Sequence, residues 1–436
     1  MIKRFALILF SLLLSFFSPP GCGVQTKYAQ FVGNYQVSPG KIITIAPFDE
    51  LGSDAIVFTD FESGRIGLLT PTSKNQFTAG PGLLIKSPVE IKITFSKDQE
   101  GNVTSFAWEQ SGEPTRVATK VNLRREDIIF RSGGAVLSGT LITPPTNPPH
   151  PAIVCLQGSG RSSRNNFGPF PYFFAAQGLA VLVYDKRGVG ASTGDFGQAT
   201  FDDFADDAVA AVHFLKSRKE VDTRQIGLWG VSQGGFLAGM AAARSPDITF
   251  VINTSGMEVP AWEQESYRVE AQVKADGLSA NDVVEAKAYM SQVVEVARTG
   301  QNWEELASLQ QTEKNKKWFQ YADHPPSLEN ATRLWKREWS FTPAPALEKV
   351  VCPYLAIYGE LDTLTPLPQT IANIEAAMKK AGNKDYTIKV FPQANHPMFE
   401  ANTGGREELP RLRRFAPGYW ETMAEWLQRR GVRPER

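Results

Sequence analysis

Short apolar runs alternate with amphipathic stretches from about residue 126 to residue 430, and this alternation restricts the fold more than any other feature. Consecutive parallel strands need a crossover connection, which is usually a helix. The pattern therefore predicts an α/β domain over 126–436, built on a mostly parallel sheet with helices on both faces. The predicted strands are 136–143, 152–156, 180–184, 226–229, 249–253, 354–358 and 386–391. The predicted helices lie near 168–178, 201–218, 233–244, 366–381 and 417–430.

Residues 257–345 interrupt the alternation with amphipathic helical patterns and contain no strand pattern. We predict that this insert forms a helical cap above the edge of the sheet where open α/β sheets bind ligands. Its tryptophan rings either roof a pocket or form the core of the insert itself, and the sequence leaves both interpretations open. Five of the nine tryptophans lie here, namely Trp262, Trp303, Trp318, Trp335 and Trp339.

Residues 27–120 follow a different pattern, in which strand-like runs are separated by turn residues at short, regular intervals. This spacing predicts a small antiparallel β domain, either a barrel or a sandwich. The segment contains no histidine, and we expect it to support the neighbouring domain. Substrate binding and a spacer role are the alternatives. The predicted strands are 41–46, 54–58, 66–69, 90–95 and 103–108.

The N-terminus has the pattern of a secretory signal. Lys3 and Arg4 precede an apolar run over 5–17, and small residues follow that run. We predict a signal peptide over 1–23 and export to the bacterial periplasm, the cell envelope or the medium. Cys22 occupies the position of a lipoprotein cysteine, so it is either lipidated and anchors the protein to a membrane or is removed by cleavage near Gly23.

The composition excludes several classes of function. The 46 basic and 46 acidic residues balance, and no long basic stripe indicates nucleic-acid binding. Three cysteines are too few for a cysteine-rich metal centre or a disulfide scaffold. We expect neither a metal nor an organic cofactor, and a small molecule as the partner.

Residues 230–234 read GVSQG, the G-x-S-x-G pattern of a nucleophilic serine on a strand–turn–helix. The predicted strand 226–229 precedes Ser232 directly, and an alanine-rich helix follows it. A second match, GASTG at 190–194, lies in a glycine-rich loop with no helix directly after it. Context therefore favours Ser232 over Ser192 as the nucleophile.

A serine hydroxyl needs a base to remove its proton, and a carboxylate to orient that base. His396 follows the last predicted strand in a loop, whereas the other three histidines lie in a proline-rich loop, a helix and the insert. Asp362 follows the strand 354–358, with Glu360 as its rival two residues earlier. We predict a triad of Ser232, His396 and Asp362.

An oxyanion intermediate needs two N–H donors, and two loops can supply them. One donor is predicted to be the backbone N–H of Gln233, the residue after the nucleophile. The other is predicted to be the N–H of Ser159, in the loop QGSG at 157–160, whose glycines allow the backbone to approach a ligand closely.

Five segments together resemble the α/β-hydrolases, and in particular bacterial esterases near dienelactone hydrolases and the catalytic domains of prolyl-oligopeptidase-like enzymes. The resemblance covers about 126–430 and includes the chain order Ser, Asp, His. It implies an α/β-hydrolase fold and a serine hydrolase, for which we expect carboxylic esters as substrates. The segments are LQGSGR at 156–161, YDKRGVGAST at 184–193, GVSQG at 230–234, YGELDTLTP at 358–366 and ANHPMF at 394–399.

Three further residues are candidates for contact with the substrate. Met257 and Trp262 follow the strand 249–253 and begin the predicted cap. The resemblance places Arg187 at the edge of the sheet, where it either contacts substrate or forms a structural ion pair. An exopeptidase or amidase, an acyltransferase and a binding protein on a hydrolase scaffold are the alternatives to an esterase. Acyl specificity, alcohol specificity and oligomeric state are left open.

Overall fold

Two β-sheets organise residues 27–432, the part of the chain that the computed structural model describes. One sheet lies within 33–120 and the other within 124–391. The predicted signal peptide and Cys22 lie outside the described residues. Within 27–432, no helix is both long enough and apolar enough to cross a bilayer.

The first sheet is an antiparallel meander of nine strands over the described residues. β4 (Ile66–Leu68) and β5 (Thr70–Pro71) stand at its opposite edges although only Leu69 separates them in the chain, so the sheet must curl back on itself. Of the two predicted forms, this is the barrel-like one. The strands are β1 (Gly33–Ser38), β2 (Lys41–Pro47), β3 (Ile56–Asp60), β4 (Ile66–Leu68), β5 (Thr70–Pro71), β6 (Gln76–Ala79), β7 (Ile91–Lys97), β8 (Val103–Gln110) and β9 (Arg116–Lys120).

The second sheet has eight strands in the order β10-β11-β13-β12-β14-β15-β16-β17. β12 to β17 run parallel, and the hairpin β10–β11 joins the edge of β13 in the antiparallel direction. β10 was not predicted, because its sequence RREDIIFRS groups four charged residues before three apolar ones and so lacks the alternation of a half-buried strand. The strands are β10 (Arg124–Ser132), β11 (Ala135–Thr143), β12 (His150–Leu156), β13 (Ala180–Tyr184), β14 (Val221–Val231), β15 (Phe250–Thr254), β16 (Tyr354–Gly359) and β17 (Tyr386–Phe391).

Helices cover both faces of this sheet, as predicted. Alternate residues of a strand face opposite sides, so Ile153 and Cys155 pack in one apolar cluster and Val154 and Leu156 in another. Before the insert, the helices are α1 (Phe170–Ala176), α2 (Phe201–Lys216) and α3 (Gln233–Ala242). The second cluster includes residues of α2 and α3, and the first includes residues of α1.

The insert is helical, and a core of its own holds it together. Trp318 and Trp339 are buried there beside Tyr289 and Met290, whereas Trp262 is 37% exposed. The insert contacts the sheet domain through Gln264, whose Nε2 donates to the carbonyl O of Leu364 at 2.9 Å. Its helices are α4 (Ala261–Ala275), α5 (Ala280–Thr299), α6 (Trp303–Glu313), α7 (Leu328–Leu334) and α8 (Ala344–Leu347), with a π-helical turn at Trp335–Trp339.

The first sheet packs on the face of the second that carries α1 and the last helix. After the insert come α9 (Leu367–Ala381) and α10 (Tyr419–Arg429). The Phe61 ring lies 5.4 Å from that of Phe173 in α1 and 5.0 Å from that of Trp420 in α10. One continuous apolar core therefore joins the β domain to the sheet domain.

Candidate active site

Ser232 occupies a strained turn between the end of β14 and the start of α3, with φ = 56° and ψ = −120°. A non-glycine residue in such a conformation costs about 1–3 kcal/mol and persists only where its surroundings fix it. The packing is tight, since a Cβ at Gly230 would lie 1.9 Å from the carbonyl O of Gly234. A Cβ at Gly234 would lie 2.2 Å from the carbonyl O of Leu156. The two glycines therefore allow the turn to press against the end of β12.

The loops after two neighbouring strands meet at this serine. The N–H of Ser232 donates to the carbonyl O of Thr254, at the end of β15, over 2.8 Å. A Cβ at Gly158 would lie 3.6 Å from the Cβ of Ser232. The loop 157–160 after β12 therefore lies close to the turn, with room for little more than a methyl group between them.

His396 and Asp362 form a hydrogen-bonded pair in the loops after β17 and β16. Nδ1 of His396 lies 2.8 Å from Oδ2 and 3.0 Å from Oδ1 of Asp362, whose side chain is fully buried. Oδ1 also accepts the backbone N–H groups of Leu364 and Thr365, at 2.7 and 2.9 Å. The carboxylate is thus held by its own loop and accepts the proton on Nδ1.

The other ring nitrogen of His396 is then left as an acceptor. Nε2 is buried and has no hydrogen-bond partner among the described residues. A buried polar atom without a partner is rare in folded proteins and calls for an explanation. An imidazole whose Nδ1–H donates to a carboxylate and whose Nε2 is free can take a proton from a hydroxyl group.

The rival residues are engaged elsewhere. The hydroxyl of Ser192 donates to the carbonyl O of Asp185 and accepts the N–H of Ser138. Glu360 accepts the N–H of Gln393 at 3.3 Å. The other three histidines also have partners. Nε2 of His213 lies 3.6 Å from the carboxylate of Asp247, and Nδ1 of His150 lies 3.5 Å from the hydroxyl of Thr146. Both ring nitrogens of His324 have partners within the cap.

Ser255, which sequence reasoning missed, ties the loops of the acid and the base together. Its hydroxyl donates to the carbonyl O of His396 at 2.7 Å, and its own carbonyl O accepts the hydroxyl of Thr365 at 3.1 Å. Like Ser232, it has a positive φ, of 55°. Nothing in the sequence around Ser255 indicates this role, because both partners lie more than a hundred residues away.

The two predicted oxyanion donors are the N–H of Gln233, at the start of α3, and the N–H of Ser159, in the loop after β12. Gln233 is the first residue of α3, and the first N–H groups of a helix have no acceptor within it. Among residues 27–432, neither the N–H of Gln233 nor that of Ser159 has a recorded acceptor. The positive end of the helix dipole favours a negative charge beside Gln233. Their use by an oxyanion stays a prediction.

Lys186 is the second residue that sequence reasoning missed. Its side chain is almost fully buried, and Nζ donates to the carbonyl O of Gly158, to that of Gly160 at 3.2 Å, and to Oε1 of Gln233 at 2.8 Å. Burial lowers the pKa of Lys186 to about 7. Its place in the sequence, two residues after the end of β13, carries no sign that its side chain reaches this loop.

Arg187, a candidate for either substrate contact or a structural ion pair, forms ion pairs with two aspartates of α2. Its guanidinium donates to both carboxylate oxygens of Asp207, at 2.8 and 2.6 Å, and to Oδ1 of Asp203 at 2.8 Å. These bonds make up the structural ion pair that was one of its two predicted roles, and its contact with a substrate stays a prediction. Met257 is buried in an apolar cluster and Trp262 lies in the first turn of α4, so their contact with a substrate stays a prediction.

A mostly parallel sheet, a strained serine between a strand and a helix, and a buried acid–imidazole pair define an α/β-hydrolase. The chain belongs to the family described as "Serine aminopeptidase, S33", whose model matches residues 147–402. The predicted resemblance is therefore confirmed. The matched range includes Ser232, Asp362 and His396.

Curated relatives match shorter stretches. The thiohydrolase apmlB of Arthrinium phaeospermum is 35% identical over 141 residues, which are 31% of this chain and 44% of that protein. The quorum-quenching protein AidA of Acinetobacter baumannii is 31% identical over 128 residues, 29% of this chain and 42% of that protein. The chain thus spans less than half the length of these relatives. Among solved structures, an esterase of Pyrococcus furiosus covers 70% of this chain and 91% of its own, with 18% identity and a TM-score of 0.45.

Proposed function

We propose that the protein is an exported serine hydrolase that cleaves carboxylic esters of small molecules through a triad of Ser232, His396 and Asp362. The observation that carries the proposal is the imidazole of His396. Its Nδ1 is bound to a buried carboxylate, and its buried Nε2 has no partner within the described residues. Membership of a hydrolase family and the strained turn at Ser232 support the same conclusion.

In the proposed reaction, Oγ of Ser232 attacks the acyl carbon while Nε2 of His396 takes the hydroxyl proton. The N–H groups of Gln233 and Ser159 stabilise the oxyanion, and each such donor contributes about 3–4 kcal/mol to the transition state. His396 then protonates the leaving alcohol. A water molecule repeats the sequence on the acyl-enzyme and releases the acid.

An aminopeptidase or amidase is the second candidate, because the description of the matching family names a serine aminopeptidase. The same triad serves both reactions, and only the leaving group differs. We favour esters, since an alcohol leaves more readily than an amine and demands less of the acid step. The substrate is proposed to enter between the cap and the C-terminal ends of the parallel strands.

Hydrolysis of short p-nitrophenyl esters by the wild type and by Ser232→Ala tests the proposal. We expect turnover to fall by about 10⁴-fold or more in the variant, because a missing nucleophile removes the covalent route. Ser192→Ala is the matched control, and we expect its turnover per folded molecule to fall far less than that of Ser232→Ala, because its hydroxyl holds a loop and does not react. Near-wild-type turnover in Ser232→Ala would contradict the assignment.

Two further measurements address substrate class and location. Aminoacyl p-nitroanilides, assayed beside the esters, separate a peptidase from an esterase by the ratio of their kcat/KM values.

Export is supported by the charged and apolar pattern at 1–23. Fractionation of cells expressing the full chain and its Cys22→Ala variant tests export and anchoring together, since loss of the cysteine releases a lipid-anchored protein from the membrane fraction.

A further inference from the structure

We propose that Lys186 is a positioning residue that holds the N–H groups of Ser159 and Gln233 toward one oxyanion. The inference rests on the proposed function, because it concerns the oxyanion donors of that reaction. It begins from three acceptors that converge on one buried ammonium group. They are the carbonyl oxygens of Gly158 and Gly160 and the side-chain oxygen of Gln233.

The first bond acts on the same peptide unit as one of the donors. The carbonyl of Gly158 and the N–H of Ser159 belong to one planar trans peptide, so they point in opposite directions. A bond from Lys186 to that oxygen fixes the plane and directs the Ser159 N–H to the opposite side. A cation on the carbonyl oxygen also polarises the peptide and strengthens its N–H as a donor.

The second and third bonds connect this loop to the helix that carries the other donor. The carbonyl of Gly160 holds the far side of the loop, and Oε1 of Gln233 holds the start of α3. An ammonium group has three N–H donors, which is the number of acceptors here. Lys186 therefore joins, through one atom, the two backbone segments whose separation sets the width of the oxyanion site.

The energetic setting argues against a purely structural role. Among residues 27–432, no carboxylate lies within ion-pair distance of Lys186, although its side chain is 3% exposed. A buried ammonium group without a paired charge destabilises the folded state. An apolar side chain of similar length would avoid this desolvation cost, so the buried ammonium favours a role beyond filling space.

The test compares full-length Lys186→Met with the wild type in ester hydrolysis. We expect kcat to fall by about 10²-fold, the loss typical of an impaired oxyanion site, with KM changed less than about threefold. The inhibition constant of a trifluoromethyl ketone, which forms the tetrahedral adduct on Ser232, is expected to rise in parallel with the loss of kcat. A merely structural role would move neither quantity selectively once folded protein is counted.

A fluorophosphonate label separates failure of this inference from failure of the proposed function. Absence of labelling at Ser232 in the wild type would overturn the proposed function itself. Labelled Lys186→Met that keeps kcat within about threefold of the wild type would overturn only the role of Lys186.

Gln233→Leu keeps the inference testable if Lys186→Met does not fold. It removes one acceptor of Lys186 and leaves both backbone donors in place. We expect kcat to fall about tenfold, with KM unchanged, since α3 is no longer joined to the loop 157–160. Unchanged kcat in folded Gln233→Leu would contradict a connection between the two donors through Lys186.

Discussion

The protein contains the pattern G-x-S-x-G twice, and the two serines have different structural environments. In the pentad 230–234 the serine sits in a strained turn directly between a strand and a helix. In the pentad 190–194 the serine hydroxyl makes two hydrogen bonds: it donates to the carbonyl O of Asp185 and accepts the N–H of Ser138. The comparison teaches that the pattern specifies tight turns, whereas the element on either side decides whether the hydroxyl is available for chemistry.

The two pentads are also connected. The loop 185–194 contains both the pentad 190–194 and Lys186. The ammonium of Lys186 donates to the side chain of Gln233, which belongs to the pentad 230–234. Ser192 holds this loop by its bond to the carbonyl O of Asp185, the residue before Lys186. The unreactive copy therefore supports the residue that we propose to position the oxyanion donors of the other.

The largest expected effect follows from removing the charge that orients His396. Asp362→Asn keeps the size of the side chain but presents an amide to Nδ1, which favours the wrong tautomer. We expect kcat for a p-nitrophenyl ester to fall by about 10⁴-fold. Glu360→Gln is the matched control and is expected to stay within about threefold of the wild type. The reverse result would assign the orienting carboxylate to Glu360.

A second prediction compares glycines of the two pentads by stability. Gly230→Ala puts a methyl group 1.9 Å from a backbone carbonyl, so the turn must move, and we expect a loss of about 3 kcal/mol or more. Gly194→Ala meets only ordinary contacts from 3.4 Å outward, but its φ of +99° costs about 1–3 kcal/mol. Chemical denaturation measures both. Equal losses would show that packing does not distinguish the two turns.

Much of the site could be predicted because each residue follows a recognisable strand. Ser232, Asp362 and His396 come after β14, β16 and β17, and parallel strands bring their carboxyl ends to one edge. Lys186 and Ser255 also follow strands, but their roles depend on where a side chain or carbonyl points across loops far apart in sequence. The curled form of the first sheet depends on which strands become its edges, and short strand-like runs carry no information on that pairing.

The smallest predicted effect is a dependence of kcat on pH through Lys186, which lies in the loop of one pentad and contacts the other. With a pKa of about 7, Lys186 loses its proton as the pH rises from 7 to 9, and the neutral amine has two N–H donors for three acceptors. Glu338 and Glu50 favour the ammonium form, and Arg337 opposes it. We expect kcat of the wild type to fall severalfold over this range, and kcat of Lys186→Met to stay level.

The free energy of unfolding is expected to rise with pH while kcat falls. The loss of kcat can therefore be told apart from a loss of folded protein. Between pH 7 and about 10 the unfolded chain keeps the proton on Lys186 and the folded protein does not, so this group raises the free energy of unfolding as pH rises. The measurement is the difference in unfolding free energy between Lys186→Met and the wild type, which is expected to shrink with pH. A constant difference alongside a falling kcat would assign the alkaline loss of activity to another group.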